Sequence, residues 1–367
     1  MNKKLKVIIS GGGTGGHIYP AIAVANALKK QRSDIDILFV GAKGKMEMEK
    51  VPKAGFPIEG LWISGFHRKL TLRNLSFPFK LISSLWKARK IIKRFRPDVV
   101  IGVGGFASGP TLEMASRMGI PILVQEQNSY AGMTNKLLAK KADTICTGYQ
   151  NMDRFFPKEK LRWTGNPVRA DIRKLDHLKT QGLKHFDLDP NKKTILLFGG
   201  SLGAKTLNEA MAANTEILRD NENIQVIWQA GKLYIDTYQS TKTAKLPSVQ
   251  IRAFLDRMDL AYAAADVVIC RAGALTISEL CMVGKPAILI PSPNVAEDHQ
   301  TKNAMALVEK EAAILIDDKE AKQRMISEAI HIMSNEELKN KLSRNVRQLE
   351  KPNAAMDIAA EVLKLVS

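Results

Sequence analysis

The chain reads as short, continuous apolar runs separated by longer stretches in which apolar positions recur every three or four residues. Unbroken Val, Ile and Leu runs are the mark of parallel strands covered by helices on both faces. In the first half the pattern predicts strands over Lys6–Ser10, Ile35–Gly41, Val99–Val103, Ile122–Gln125 and Thr144–Thr147. Helices are predicted between them, at about Pro20–Gln31, Phe79–Phe95, Pro110–Met118 and Met133–Lys140. A break falls at Trp163-Thr164-Gly165-Asn166-Pro167, and after a polar stretch to Lys193 the alternation restarts. Strands are then predicted at Thr194–Phe198, Gln225–Gln229, Gln250–Phe254, Val267–Cys270, Ala287–Ile290 and Ala313–Ile316, with helices between them and more from about Lys319 to the end. The same alternation twice over predicts an α/β protein of two doubly wound, Rossmann-like domains in tandem.

Composition agrees with this picture. A chain of 367 residues, 45% hydrophobic and 25% charged, is long enough for two domains and excludes disordered and fibrous classes. Cys146, Cys270 and Cys281 show no metal-ligand or CxxC spacing and are expected as reduced packing residues. The apolar run Val7 to Ile9 is too short for a signal core, and no run of about 18 apolar residues exists to span a bilayer. A cytoplasmic location is therefore expected. The net charge of +18 calls for an anionic partner: nucleic acid, anionic lipid or a phosphorylated substrate. No zinc-finger, RNP or helix-turn-helix signature supports nucleic acid.

Glycine-rich turns carry the candidate chemistry. The first is Gly11-Gly12-Gly13-Thr14-Gly15-Gly16-His17, the second Gly102–Pro110 and the third Gly199-Gly200-Ser201-Leu202-Gly203-Ala204. Each sits where a predicted strand ends and a helix begins. There a backbone can approach a phosphate, and the unpaired N–H groups of a helix start favour negative charge. A nicotinamide site would need an acid at the end of the second strand to hold the ribose. That strand ends Phe39-Val40-Gly41-Ala42-Lys43, without one. A fourth element, Arg271–Glu279, follows another strand. Its N–H groups at Ala274, Leu275 and Thr276 suit a diphosphate, and Glu279 suits ribose hydroxyls or a helix cap. Two domains whose loops face each other across a cleft would hold two phosphorylated substrates.

Taken together, Gly12–His17, Gly102–Pro110, Glu126-Gln127-Asn128, Gly165-Asn166-Pro167-Val168-Arg169, Gly199–Ala204, Arg271–Glu279 and Asp298-His299-Gln300 resemble, in this order, the MurG-type N-acetylglucosaminyltransferases that convert lipid I to lipid II. The resemblance covers essentially the whole chain. It implies a GT-B fold, with residues 1–166 plus a returning C-terminal helix in 352–367 as an acceptor- and membrane-binding domain. Residues 167–351 would bind UDP-N-acetylglucosamine. Carried over by position, it implies that Phe254 and Leu255 meet the uracil through backbone and that Glu279 holds the ribose. Ser201, Ala274, Leu275 and Thr276 would cradle the diphosphate, and Arg169 would touch the donor. Asn128, Gln300, Thr14, Gly15 and Gly16 would surround the sugar, and Gly104, Gly105 and Ser108 would meet the acceptor diphosphate. The sequence departs from the pattern at Leu202, where a polar residue is common, and in a longer loop at Pro293-Asn294-Val295.

The implied reaction is a single inverting displacement at the anomeric carbon of UDP-N-acetylglucosamine by the 4-hydroxyl of the lipid-linked N-acetylmuramoyl unit. The hydroxyl needs a base that titrates near neutrality, and His17, expected at a helix start, is the candidate. Helix N-termini would stabilise the leaving diphosphate, so no cofactor and no protein-bound metal are expected. Asp34-Ile35-Asp36 and Asp187-Leu188-Asp189 have DxD spacing but do not follow a strand in a suitable loop. Between Glu59 and Asp98 there is no acid and there are ten Lys or Arg. With Phe77, Phe79, Leu81, Ile82, Leu85 and Trp86 among them, this segment predicts peripheral attachment to an anionic membrane, at the cytoplasmic face of the inner membrane. Other cell-wall synthesis proteins are candidate partners. The competing readings are a glycosyltransferase acting on another lipid such as diacylglycerol, a UDP-sugar epimerase, and a non-catalytic nucleotide sensor.

Overall fold

The computed structural model describes residues 4–65, 76–168, 172, 175–200 and 202–366, which form two compact units: Met1–Arg169 with Asn353–Ser367, and Ala170–Pro352. Unit 1 runs β1 (Leu5–Ser10), α1 (Gly15–Gln31), β2 (Ile35–Ala42), α2 (Glu47–Lys53), β3 (Ile58–Leu61), α3 (Phe77–Phe95), β4 (Val99–Gly102), α4 (Ser108–Arg117), β5 (Ile122–Glu126), α5 (Met133–Leu138), β6 (Thr144–Thr147) and β7 (Leu161–Trp163). All its strands are parallel, in the order β3-β2-β1-β4-β5-β6-β7. The sheet's order reverses between β1 and β4. In open α/β sheets ligands bind at such a reversal, outside the carboxyl ends of the strands. The first two glycine turns follow β1 and β4, the two strands that flank it.

Unit 2 contains α6 (Lys179–His185), β8 (Lys193–Phe198), α7 (Lys205–Ala213), α8 (Thr215–Arg219), β9 (Ile224–Gln229), α9 (Ile235–Tyr238), β10 (Val249–Arg252), α10 (Met258–Ala264), β11 (Val267–Cys270), α11 (Ala274–Val283), β12 (Ala287–Leu289), α12 (His299–Val308), β13 (Ile314–Leu315), α13 (Ala321–Ser334) and α14 (Glu336–Arg347). Its parallel sheet has the order β10-β9-β8-β11-β12-β13. Here the reversal lies between β8 and β11, again the strands that precede the third glycine turn and the Arg271 turn. The last helix, α15 (Ala354–Lys364), packs on α1 in unit 1. Its Ile358, Ala359 and Val362 are fully buried in one cluster with Val24 and Leu28, and Gln31 Nε2 donates to Met356 O at 2.9 Å.

Several expectations shift. Helix α1 starts at Gly15, five residues before Pro20, so the glycine turn runs into the helix's own first turn and Pro20 lies inside it. The first N–H groups of a helix need no intrahelical partner, which lets Gly15 and Gly16 open it. His17 is thus the third helical residue, not the first. On α3 the helical period of about 100° per residue separates the apolar side chains that the sequence grouped together. Phe79, Ile82 and Trp86 are 70%, 65% and 74% exposed, whereas Leu81 packs on the core and Phe77 and Leu85 are half-buried. Phe254, expected in a strand, lies beyond the end of β10. The three cysteines are free and buried, and burial pushes their thiols up, that of Cys281 to about 12. Among the described residues no helix is long and apolar enough to cross a membrane, and no group of His, Cys, Asp or Glu could hold a metal ion.

Candidate active site

In unit 1 the first two turns are locked together. Gly12 N–H donates to Gly104 O at 3.3 Å. His17 lies across this junction: Thr14 Oγ1 sits 3.0 Å from Nδ1, and the far side of the ring lies over Gly104. Gly104 has φ +86°, and a Cβ there would come within 2.9 Å of His17 Cδ2 and Nε2. A side chain at 104 would therefore be strained and would push the imidazole away. Thr14 is also the residue just before α1, with extended backbone, so its hydroxyl and the ring three residues on lie side by side. Two separate strands thus converge on one histidine, with Thr14, Gly15 and Gly16 exposed or half-buried around it.

A buried amide network supports this edge of the sheet from below. Gln127 Nε2 donates to Val103 O at 2.8 Å, Gln125 Nε2 to Asn166 Oδ1 at 3.0 Å, and Asn166 Nδ2 to Gln127 O at 2.9 Å. Glu126 ends β5 with a buried carboxyl that accepts from Asn128 N at 3.0 Å, Gly132 N at 2.9 Å and Asn135 Nδ2 at 2.8 Å. Burial raises its pKa, and those donors offset part of the rise. Asn128 is therefore held by Glu126 at the edge beyond β5. Ser108, the first residue of α4, is fully buried, and its Oγ has no hydrogen-bond partner among the described residues. A buried hydroxyl at a helix start, beside the positive-φ Gly104 and Gly105, is a donor ready for an anion.

In unit 2 the third turn is fastened through Gln229, at the end of β9. Its Nε2 donates to Gly200 O at 2.7 Å and its Oε1 accepts from Leu255 N at 3.3 Å, joining the turn after β8 to the loop after β10. Phe254 in that loop is 38% exposed, with Lys232 Nζ 5.6 Å from its ring centroid. Helix α11 begins at Ala274 after an extended Gly273, and no side chain caps it. The N–H groups of Ala274, Leu275 and Thr276 therefore lack intrahelical partners. One and a half turns on, Glu279 Oε2 accepts from Tyr262 OH at 3.0 Å. Arg271 Nη1 reaches Ile290 O and Pro291 O, both at 3.0 Å, and Asp318 Oδ1 at 2.5 Å, tying the ends of β11 and β12 together. Gln300 Oε1 accepts from Ser292 N at 2.9 Å, which holds the loop after β12.

Two sets of candidate residues thus come together, each at one sheet's carboxyl edge. In unit 1 these are Thr14, Gly15, Gly16, His17, Gly104, Gly105, Ser108 and Asn128. In unit 2 they are Phe254, Leu255, Ala274, Leu275, Thr276, Glu279 and Gln300. Arg169 and Ser201 lie outside the described residues. Sequence reasoning missed Glu47, whose buried carboxyl accepts from Gly13 N at 2.9 Å and Ala42 N at 3.0 Å. It also missed the bracing roles of Gln229, Tyr262 and Arg271. Each of these acts on a partner distant in sequence, so no local spacing marks it.

Residues 7–147 match the glycosyltransferase family 28 N-terminal domain, and residues 194–362 match the C-terminal domain of the same family. A UDP-N-acetylglucosamine--N-acetylmuramyl-(pentapeptide) pyrophosphoryl-undecaprenol N-acetylglucosamine transferase from Flavobacterium psychrophilum is 54% identical over 99% of this chain and 98% of its own length. The protein of the same name from Christiangramia forsetii is 52% identical over 100% of this chain and 99% of its own. Among solved structures, Acinetobacter baumannii MurG superposes with a TM-score of 0.78 at 29% identity, covering 98% of this chain and 99% of that one. The fold is that of GT-B glycosyltransferases, built from two Rossmann-like domains. On the strength of both domain matches and these full-length relatives, the chain belongs to glycosyltransferase family 28 and, within it, to the N-acetylglucosaminyltransferases of the MurG type.

Proposed function

We propose that the protein transfers N-acetylglucosamine from UDP-N-acetylglucosamine to the 4-hydroxyl of the N-acetylmuramoyl unit of lipid I, forming lipid II for peptidoglycan. The observation that carries this reading is the identity of 54% along 99% of the chain with a transferase of that name. Residues 1–166 with the returning helix serve the acceptor and the membrane, and residues 167–351 serve the donor. The base is His17. With its proton on Nδ1 and donated to Thr14 Oγ1, the imidazole keeps its lone pair on Nε2, on the side of the second turn. From there it takes the hydroxyl's proton as the oxygen attacks the anomeric carbon from the face opposite the diphosphate, which turns an α-linked donor into a β-linked product.

The departing UDP leaves with its charge facing the uncapped N–H groups of Ala274, Leu275 and Thr276, where the helix dipole of α11 favours an anion, and Ser201 and Arg169 add donors. Phe254 and Leu255 meet the uracil and Glu279 the ribose, while Asn128, Gln300 and the Thr14–Gly16 turn surround the sugar. The acceptor's diphosphate rests at the second turn, on Gly104, Gly105 and the Ser108 hydroxyl.

The exposed side of α3 is the membrane contact. Phe79, Ile82 and Trp86 are followed along that side by Arg89, Lys90 and Lys93, all exposed. Apolar side chains beside basic ones suit an anionic lipid surface, with about 1 kcal/mol from each Lys or Arg. The enzyme works as a peripheral protein on the cytoplasmic face of the cell membrane, where other cell-wall synthesis proteins are its neighbours. UDP release with a lipid I analogue tests the assignment. Wild type is expected to release UDP only when the acceptor is present, and His17→Ala to lose roughly a hundredfold to ten-thousandfold in kcat, the range of general-base catalysis. Full activity in His17→Ala would remove that residue from the role.

A further inference from the structure

We propose that Glu47 is a positioning residue for the half-site in unit 1: its carboxyl group occupies the anion seat of the first glycine turn, so the turn offers Thr14 and His17 to an uncharged sugar hydroxyl instead of binding phosphate. The inference rests on the reaction assigned above and concerns the division of labour among its glycine turns. Backbone N–H groups that converge at a glycine-rich turn between a first strand and its helix form the usual seat for a phosphate. Here the seat is filled from within the protein. Glu47 opens α2 and is 1% exposed. Its Oε2 accepts from Gly13 N at 2.9 Å and its Oε1 from Ala42 N at 3.0 Å, so one carboxyl group joins the end of β2 to the turn after β1. Gly12 has φ +143°, and a Cβ there would lie 2.3 Å from Glu47 Cδ and Oε1. The turn's shape and the carboxyl group therefore require each other.

Two consequences follow. A diphosphate brought to this turn would meet a group of like charge and find the Gly13 N–H taken. The two diphosphates of the reaction are thereby directed to the second turn and to the turns of unit 2, where Ser108 Oγ and the uncapped start of α11 are available. Gly13 also precedes Thr14 directly, and Thr14 Oγ1 lies 3.0 Å from His17 Nδ1. The Glu47 carboxyl is thus the anchor from which the hydroxyl and the imidazole are aimed.

The test uses the full-length enzyme with Glu47→Gln and Glu47→Ala. Glutamine keeps the shape but sets an NH2 group against a backbone N–H. Misplacing the turn by an ångström should lower kcat by about tenfold to a hundredfold, with UDP affinity close to wild type and the fold intact, although the buried unpaired donor should lower the melting temperature by several degrees. Sodium formate should restore part of kcat to Glu47→Ala, by refilling the seat, while sodium chloride restores none. The His17 ring signal in 1H–13C NMR, which needs no substrate, should shift in Glu47→Gln. Wild-type kcat in both variants, loss of UDP affinity in step with kcat, a deficit in Glu47→Ala that formate leaves untouched, or an unmoved His17 signal would each overturn the proposal. A wild-type enzyme that makes no product would instead defeat the assigned reaction, and the NMR signal would still decide whether Glu47 positions His17.

Discussion

Replacing Phe79, Ile82 and Trp86 together by serine should detach the protein from anionic vesicles without unfolding it. The two rings are 70% and 74% exposed. Each therefore offers on the order of 100–170 Å² to a lipid surface, or about 3 kcal/mol at roughly 25 cal/mol per Å². Ile82, 65% exposed, adds about 1–2 kcal/mol on the same scale. If a helix lying in the interface realises half of this, the triple change removes about 4 kcal/mol, close to a thousandfold in the partition constant. Folding should barely respond, since exposed positions away from caps and buried polar networks change stability by about 0.5 kcal/mol or less. The assay is co-sedimentation with vesicles rich in phosphatidylglycerol, alongside UDP binding and a melting curve. Raising the salt should weaken the remaining attachment, because the basic residues act through a screened field. A partition constant within about tenfold of wild type, with the fold intact, would refute the assignment of this side of α3 to the membrane.

Three further outcomes follow from particular contacts. Gln229→Ala unfastens the third turn from the Leu255 loop and strands the buried Leu255 N–H, so UDP affinity by calorimetry should fall about tenfold, and an unchanged affinity would contradict the bracing role. Ile358→Ala opens a cavity between α15 and α1 and should cost about 2–5 kcal/mol in urea unfolding, whereas a loss below about 1 kcal/mol would mean that the helix contributes little to unit 1. Glu126 has its pKa raised by burial, so its favourable contribution is complete below the unfolded value and is lost as pH rises through the folded one. Melts of wild type against Glu126→Gln should therefore show wild type losing ground as pH climbs from about 4, and a flat or opposite trend would contradict the burial effect.

The central strands were legible because Val7 to Ile9, Val99 to Ile101 and Val267 to Ile269 are apolar on both faces, as a covered parallel sheet demands. What the sequence reading missed lies at the margins. Strands β3 and β7 are the two edges of the first sheet, and an edge strand tolerates Glu59 or Arg162 within a run too short to stand out. Edge strands β10 and β13 of the second sheet are likewise shorter than their apolar runs suggested. The glycine turns were visible as composition, but their mutual packing was not: the contact of His17 with Gly104 joins positions 87 residues apart. Glu47 was invisible for the same reason, since no acid stands at the end of β2 and the carboxyl that matters reaches back from the next helix. Period alone could have corrected the α3 patch, because positions 79, 82 and 86 share a face that 81 and 85 leave.

The most direct test of the account is to incubate the wild-type enzyme with UDP-N-acetylglucosamine and a lipid I analogue and identify the product by mass spectrometry and NMR. The account predicts an acceptor enlarged by one N-acetylglucosamine, β-linked to the 4-hydroxyl of the muramoyl sugar, with UDP released in equal amount. Unchanged acceptor together with a 2-epimerised donor, or transfer to diacylglycerol in its place, would contradict it.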